Sequence, residues 1–290
     1  MQLLPVIGVI VVALSAAGLP PAADTVSKPH RIVSMNLCTD ELVLRLADRQ
    51  NIVSITWKAR EPDQSNAADL AQGIPINHGL AEEIIPLKPD LLLAGVYTTR
   101  PTVALLKRAG MRAVDADVAR SFDDVRQQYR EFAALLGEQE RGEHIIAEMD
   151  RNVARLARER PSVPPTAIVL HANNYTFGRG SLIDDVVTHA GLENMATRLG
   201  IGESGQVPLE IITMNPVDVL IVSSYRDGPS AMATEFLRHP VLSRLSDRTR
   251  VVVLPNRLTD CGGPALVEAV ERLMRVANEV RGRVSPNGPN

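Results

Sequence analysis

Two cysteines, Cys38 and Cys261, are the only thiols in this chain of 290 residues, and their chemistry depends on whether they meet. Both follow predicted strands, where the loops of an α/β sheet carry binding residues. In an oxidising compartment such a pair typically forms a disulfide, which requires Cα atoms within about 7 Å. Two alternatives stay open: a thiolate-imidazole metal site with His78 and His171, and free thiols lining a pocket.

Polar and aromatic side chains gather in the loops that follow the predicted strands. Ligands of open α/β sheets bind beyond the carboxyl ends of the strands, so these loops predict the site. Aromatic residues there suit a large, partly apolar ligand, and arginines would neutralise its carboxylates or phosphates. The predicted ligand-binding residues are Asn36, Cys38, Trp57, His78, Tyr97, His171, Tyr175, Arg179, Tyr225, Arg226, Arg257 and Cys261.

Signatures of covalent chemistry are missing from the chain. The segment 178–182 resembles a glycine-rich phosphate turn, but it lacks the Lys-Ser/Thr ending of a P-loop, and Ser181 is better interpreted as a helix cap. A nucleophile elbow is missing too. The predicted cleft loops supply aspartates at Asp117, Asp227 and Asp260 without metal-ligand spacing. We therefore expect a binding protein with no catalytic residue and no resident cofactor.

The elements that position these loops come in two related sets. Segments 82–93 and 210–221 repeat each other, so that Asp90 matches Asp218 in front of an unbroken apolar run. Each copy predicts a short helix followed by a buried strand of a parallel sheet. The repeat predicts two similar α/β lobes with parallel sheets and a ligand cleft between them.

A long helix joins the two predicted lobes. Residues 139–160 are charged and helix-forming, carry Ile145, Met149, Val153 and Leu156 on one face, and end at Pro161. A stiff connection of this kind differs from a flexible linker rich in glycine and serine. The expected boundaries are a signal peptide (1–23), a first lobe (24–137), a connecting helix (138–161), a second lobe (162–284) and a disordered tail (285–290).

The amino-terminal segment and the overall charge indicate the compartment and exclude one class of partner. The run from Leu3 to Leu19 is almost wholly apolar, and a breaker and small residues follow it up to Ala23. We expect export to the periplasm and cleavage near Ala23. A formal charge of -3 leaves no basic surplus for nucleic acid.

Several motifs together resemble a known family. They are the opening Arg31-Ile32-Val33-Ser34 strand, Asp40-Glu41-Leu42, the strand entry Lys88-Pro89-Asp90, the long central helix and the turn Ala190-Gly191-Leu192-Glu193-Asn194. In this order and spacing they resemble the periplasmic binding proteins for ferric siderophores and cobalamin. The resemblance implies a monomer with a ligand cleft, limited lobe closure, and delivery to an inner-membrane ABC permease and its ATPase.

The same resemblance implies two residues that dock onto the permease. By motif position they are Glu82 and Glu210, one on each lobe, each eight residues before its strand aspartate. A carboxylate in the first turn of a helix is favoured by the helix dipole and can accept a bidentate arginine. Glu83 is the neighbour most easily confused with Glu82.

The leading hypothesis is a receptor for a metal chelate, either a corrinoid or a ferric siderophore. The corrinoid is preferred because the first-lobe loops carry few positive charges for a strongly anionic ferric complex. One alternative is a receptor for a bare metal ion held by Cys38, His78, His171 and Cys261. The other is an exported metal-dependent hydrolase that uses the same bilobal cleft.

Overall fold

The computed structural model describes residues 28–98, 100–224 and 248–284. The predicted signal peptide, the predicted tail, Tyr225, Arg226 and Asp227 lie outside these residues. Within the described part of the chain, no helix is long and apolar enough to cross a membrane.

The first lobe is built on a parallel five-stranded sheet whose order is β3-β2-β1-β4-β5. Its central strands are short runs of β-branched residues and leucine, buried on both faces as the apolar pattern predicts. The strands are β1 (Ile32–Ser34), β2 (Ile52–Thr56), β3 (Ile76–Asn77), β4 (Leu91–Gly95) and β5 (Ala113–Ala116).

Helices cover both faces of this sheet, and side-chain caps define where two of them begin. Asn36 caps the first helix and Ser121 caps the fourth, each accepting a hydrogen bond from a backbone amide of the first turn. The helices are α1 (Leu37–Leu46), α2 (Ala81–Ile84), α3 (Arg100–Arg108) and α4 (Phe122–Leu136).

The connecting helix is α5 (Gln139–Ala157), three residues shorter than the predicted span because a turn replaces its last residues. It follows α4 directly through Gly137, whose φ of 71° lies in the left-handed region that favours glycine. A Cβ on Gly142 would lie 2.5 Å from the Cβ of Ala133, so this glycine permits the close packing of α5 on α4. The predicted Ile145 is half-buried and packs against the core, and Ile146 beside it is fully buried.

The second lobe has a parallel four-stranded sheet of order β11-β10-β6-β8 and a small antiparallel pair, β7 with β9. Its strands are β6 (Thr166–Leu170), β7 (Tyr175–Thr176), β8 (Glu193–Asn194), β9 (Gly205–Gln206), β10 (Val219–Ser224) and β11 (Arg250–Pro255). Its helices are α6 (Leu182–His189), α7 (Met195–Arg198), α8 (Leu209–Met214) and α9 (Ala265–Val284).

One buried apolar cluster runs through both lobes. It includes Leu42 of α1, Tyr129 of α4, Met149 of α5, Val169 of β6 and Leu273 of α9. The lobes therefore share a core on the side where α5 joins them. The predicted class, two α/β lobes with parallel sheets, is confirmed.

Candidate ligand-binding cleft

The strand order of each sheet identifies where a crevice must form. In the first sheet the chain runs outward from β1 in both directions, through β2 on one side and β4 on the other. In the second sheet β6 lies in the same way between β8 and β10. Loops on either side of such a switch point leave the sheet in opposite directions and open a crevice beyond its carboxyl edge.

The first-lobe wall of this crevice is shaped by Asn36 and Gly95. The Asn36 side chain accepts a hydrogen bond from the amide of Cys38 at 2.9 Å and so caps α1. A Cβ on Gly95 would lie 2.9 Å from the Asn36 side chain, so only glycine allows Asn36 to lie over the end of β4. Gly95 and Thr98 then close a tight turn that leaves Tyr97 84% exposed.

A pocket of about 120 Å³ lies between the lobes at this place. The first lobe lines it with residues that follow β1, β4 and β5, and the second lobe with residues from the start of α6 and the loop before α9. Residues of both lobes that define it are Asn36, Cys38, Tyr97, Asp117, Gln128, Leu182, Asp260 and Gly262.

Cys38 and Cys261 form a disulfide across this pocket, with a Cα–Cα distance of 5.1 Å. The expectation of a disulfide is confirmed, and the expectation of free thiols is wrong. The four-ligand site with His78 and His171 is wrong as well, because both sulfurs are bonded to each other and no thiolate remains. Among the described residues, no group of three or more His, Cys, Asp or Glu side chains is placed to hold a metal ion.

Residues 256–263, which we name the clasp loop, belong to the second lobe but bind to the first. The Arg257 guanidinium donates a hydrogen bond of 2.9 Å to the Asn66 side-chain oxygen, and the Asn66 amide donates to the Arg257 carbonyl oxygen. The Asn66 backbone amide donates to buried Glu41 at 2.9 Å. Arg257 is thus held by the opposite lobe, and it does not line the pocket as the sequence analysis expected.

The two glycines of the clasp loop explain how closely it lies on the first lobe. A Cβ on Gly262 would lie 2.7 Å from a methyl carbon of Val125, and one on Gly263 would lie 3.1 Å from the Tyr129 hydroxyl. The structure shows that the surface approached is α4 of the other lobe.

Two carboxylates near the disulfide have raised pKa values. Asp40 is fully buried, and burial raises its pKa to about 7 although Thr56 donates two hydrogen bonds to it. Asp260 is exposed, yet the protein around its carboxylate partly desolvates it and raises its pKa to about 6. The negative charge of Glu41 adds to this rise, and Lys58 opposes it. Asp260 is therefore ionised at neutral pH, whereas Asp40 is near its midpoint.

The two histidines that were candidate ligands have other surroundings. His171 packs edge-on against the Phe177 ring at 4.9 Å, and burial lowers its pKa to about 4, so it is neutral. His78 bonds to Glu83 through both its backbone amide (2.6 Å) and its ring nitrogen (2.9 Å). Neither histidine lines the pocket.

Several other predicted residues lie away from the pocket. Trp57 is 39% exposed and carries the Lys58 ammonium 5.9 Å from its ring centroid, and Tyr175 is 43% exposed on β7. Arg179 lies in a different groove, beside Asp184 and Glu193. Of the predicted set, the structure brings Asn36, Cys38, Cys261 and Tyr97 together.

Asp117, Gln128, Leu182 and Asp260 line the pocket but were missing from the predicted ligand set. Asp117 directly follows β5, and Asp260 directly precedes Cys261, so position after a strand or beside the cysteine could have indicated both. Gln128 lies within α4, where the sequence pattern gives no such signal.

The two glutamates of the repeat occupy equivalent places. Glu82 is exposed in the first turn of α2, and Glu210 is exposed in the first turn of α8. Glu83 differs from both because His78 holds its carboxylate and lowers its pKa.

Comparison with known proteins gives one consistent result. The model of the family described as periplasmic binding protein matches residues 32–257. A cobalamin-binding protein of Halobacterium salinarum is 27% identical over 224 residues, which cover 74% of this chain and 60% of that relative's length.

Solved structures show the same fold. A possible iron-binding periplasmic solute-binding protein from Staphylococcus epidermidis has a TM-score of 0.74 at 19% identity, covering 86% of this chain and 99% of its own. The apo form of the periplasmic heme-binding protein RhuT from Roseiflexus sp. RS-1 has a TM-score of 0.73 at 24% identity, covering 87% of this chain and 98% of its own. The chain therefore belongs to the periplasmic binding protein family.

Proposed function

We propose that this protein is the substrate-binding component of an ABC importer, captures a metal chelate between its lobes, and delivers it to an inner-membrane permease and ATPase. It acts as a monomer in the periplasm after removal of the amino-terminal signal, and it performs no catalysis. A corrinoid is the preferred ligand, and a ferric siderophore is the runner-up.

One observation carries this proposal: a pocket is built jointly by the carboxyl edge of the first sheet and by second-lobe residues Leu182 and Asp260. Contributions from both lobes are what a capture-and-release receptor requires, since a ligand between them is held when the lobes meet. The exposed ring of Tyr97 beside the pocket offers a flat apolar surface for a macrocycle or a catechol. The cobalamin-binding relative supports the corrinoid preference.

Permease docking through Glu82 and Glu210 is part of the proposal. Both carboxylates are exposed, and both lie in the first turn of a short helix. Each stands eight residues before an aspartate, and that aspartate directly precedes β4 in the first lobe and β10 in the second. Each glutamate can therefore accept a bidentate arginine without disturbing the pocket.

The test is a titration of purified protein with cyanocobalamin, cobinamide, haem and several ferric siderophores, followed by calorimetry and by fluorescence. Trp57 is the only tryptophan of the chain, so its emission reports quenching by a coloured chelate from a single position. We expect saturable binding of at least one chelate, with a corrinoid tightest. No binding across the panel would contradict the proposal.

The two alternatives give different results in the same preparation. A bare-ion receptor purified without chelators would carry a stoichiometric metal in elemental analysis, and the disulfide removes the thiolates on which that alternative relied. A hydrolase would show turnover of an ester or amide substrate that depends on added metal and is lost when Asp117 and Asp260 are replaced.

A further inference from the structure

The pocket between the lobes is too small for a whole chelate. Its volume is about 120 Å³, whereas pockets that enclose a drug-sized ligand are about 300–1,000 Å³. A corrinoid or a ferric siderophore is larger than most drugs, so its ring or metal core must lie outside this pocket. The pocket can receive only one peripheral group of such a ligand.

The described side chains place several hydrogen-bond acceptors in the pocket, and the Asn36 side-chain nitrogen is a donor there, because the Asn36 oxygen already accepts from the Cys38 amide. Among the described residues, the charged residues that line it are Asp117 and Asp260, both carboxylates. The Gln128 side-chain nitrogen donates a hydrogen bond to the Asp117 carbonyl oxygen at 2.8 Å. The Gln128 side-chain oxygen is therefore the atom that can accept a hydrogen bond from a ligand. A ligand group that donates hydrogen bonds to the carboxylates and to Gln128, and accepts one from Asn36, satisfies this lining, and a primary amide does both.

Two of the three arginines expected to neutralise an anionic ligand are not in this pocket, and the third, Arg226, lies outside the described residues. Arg257 binds Asn66 of the opposite lobe, and Arg179 lies in the groove beside Glu193. With a pKa of about 6, Asp260 carries its charge at neutral pH. A ligand carboxylate placed here would meet two like charges, of which the Asp260 carboxylate is partly desolvated.

We propose that this pocket is a subsite for an amide or cationic side group of the bound chelate, and that Asp117 and Asp260 exclude ligands that present a carboxylate there. The inference rests on the proposed function and narrows it to chelates with amide or cationic side groups. An amidated corrinoid meets the requirement, whereas its hydrolysed carboxylic form does not.

The experiment compares two ligands that differ only in this group: an amidated corrinoid and the same corrinoid with its side-chain amides hydrolysed to carboxylates. For the native protein we expect the amide form to bind at least about tenfold more tightly. In the double variant Asp117→Asn and Asp260→Asn, we expect the two affinities to come within about threefold of each other.

A matched control is Asp63→Asn with Asp69→Asn, which removes the same total charge from exposed positions that do not line the pocket. It should keep the native preference, so that a change in net charge alone does not explain the result. Circular dichroism of both double variants checks that each is folded.

The outcomes separate the inference from the proposed function. If the native protein binds the carboxylic corrinoid as tightly as the amide, or if the pocket variant keeps the native ratio, the subsite assignment is overturned while the receptor function stands. If the protein binds neither corrinoid nor any other chelate of the panel, both are overturned. The inference is supported if the ratio of the two corrinoid affinities falls in the pocket variant and stays at the native value in the control.

Discussion

The carboxylate of Asp218 accepts hydrogen bonds from both the backbone amide and the hydroxyl of Thr166, at 2.7 and 3.0 Å. Asp90, its counterpart in the repeat, accepts from the backbone amides of His30 and Arg31 at 2.8 and 3.0 Å. Each aspartate thus ties the start of its own strand to the start of the neighbouring central strand. The two copies of the repeat contain the starts of β4 and β10. Each of these strands pairs in parallel with the first strand of its lobe, β1 or β6.

Replacing these aspartates should therefore cost stability and leave ligand affinity unchanged. We expect Asp218→Ala to lower the free energy of unfolding by about 1–3 kcal/mol. The partly buried amide and hydroxyl of Thr166 would then lose their charged acceptor. Asp90 is exposed, so Asp90→Ala should cost less. Urea denaturation of both variants measures the difference. An equal or larger loss for Asp90→Ala would contradict the assigned roles.

The stability of the folded chain should depend on pH through Asp40. The folded-state pKa of about 7 lies above the ordinary value of 3.8, so the folded protein binds more protons than the unfolded chain between these values. Stability must then fall as pH rises from about 4 to about 7, by at most about 1.4 kcal/mol per pH unit for this group.

The variant Asp40→Asn tests this dependence. It keeps an acceptor for the Thr56 amide and removes the buried charge. We expect a higher Tm than the native protein at pH 8 and a similar Tm at pH 5. Glu41, whose pKa burial also raises, leaves a residual slope. Parallel Tm profiles for the two proteins would show that Asp40 does not carry the effect.

Loss of the disulfide should lower the stability of the folded protein more than it lowers the affinity for the ligand. If the redox state of the two cysteines controlled access to the cleft, Cys38→Ser would instead change ligand affinity more than stability. The two cysteines are 223 residues apart, and losing a disulfide typically costs about 2–5 kcal/mol. The shared core and the Asn66–Arg257 bonds still hold the clasp loop, so the pocket should keep its shape.

Melting and binding curves of a variant with both cysteines replaced by serine decide between these expectations. A reductant should lower the Tm of the native protein and leave the variant unaffected. Weakened binding with an unchanged Tm would contradict this expectation and show that the disulfide controls ligand access.

The docking glutamates should separate transport from binding. Replacing both Glu82 and Glu210 with alanine should abolish stimulation of the transporter ATPase and leave ligand affinity nearly unchanged. Single replacements should give intermediate stimulation. Glu83→Ala is the matched control, because His78 already holds that carboxylate. Normal transport by the double variant would mean that these glutamates do not dock.

The parts of the fold that sequence predicts are those with a clear apolar period. Strand β4 and the first four residues of β10 are apolar runs that the structure buries completely, and the side-chain cap Ser181 stands where the sequence predicts it. Strands β3, β7, β8 and β9 have two residues each, and two residues cannot show a period.

The site was predicted less completely because partners far apart in sequence decide it. Asn36 and Tyr97 follow strands and line the pocket as expected. Arg257 also follows a strand, but Asn66, 191 residues away, holds its guanidinium against the other lobe. Sequence position places a side chain at the edge of a sheet, whereas the opposing surface determines what it binds.

The clasp loop has a consequence for the order in which the molecule is completed. The first lobe ends its own sheet by residue 116, yet the surface of α4 around Val125 and Tyr129 is contacted by the clasp loop, which lies near the end of the chain. A chain that emerges from its amino terminus therefore exposes this apolar surface until nearly all of it has been synthesised. The Cys38–Cys261 bond can form natively only after that late step, so its presence marks a finished molecule.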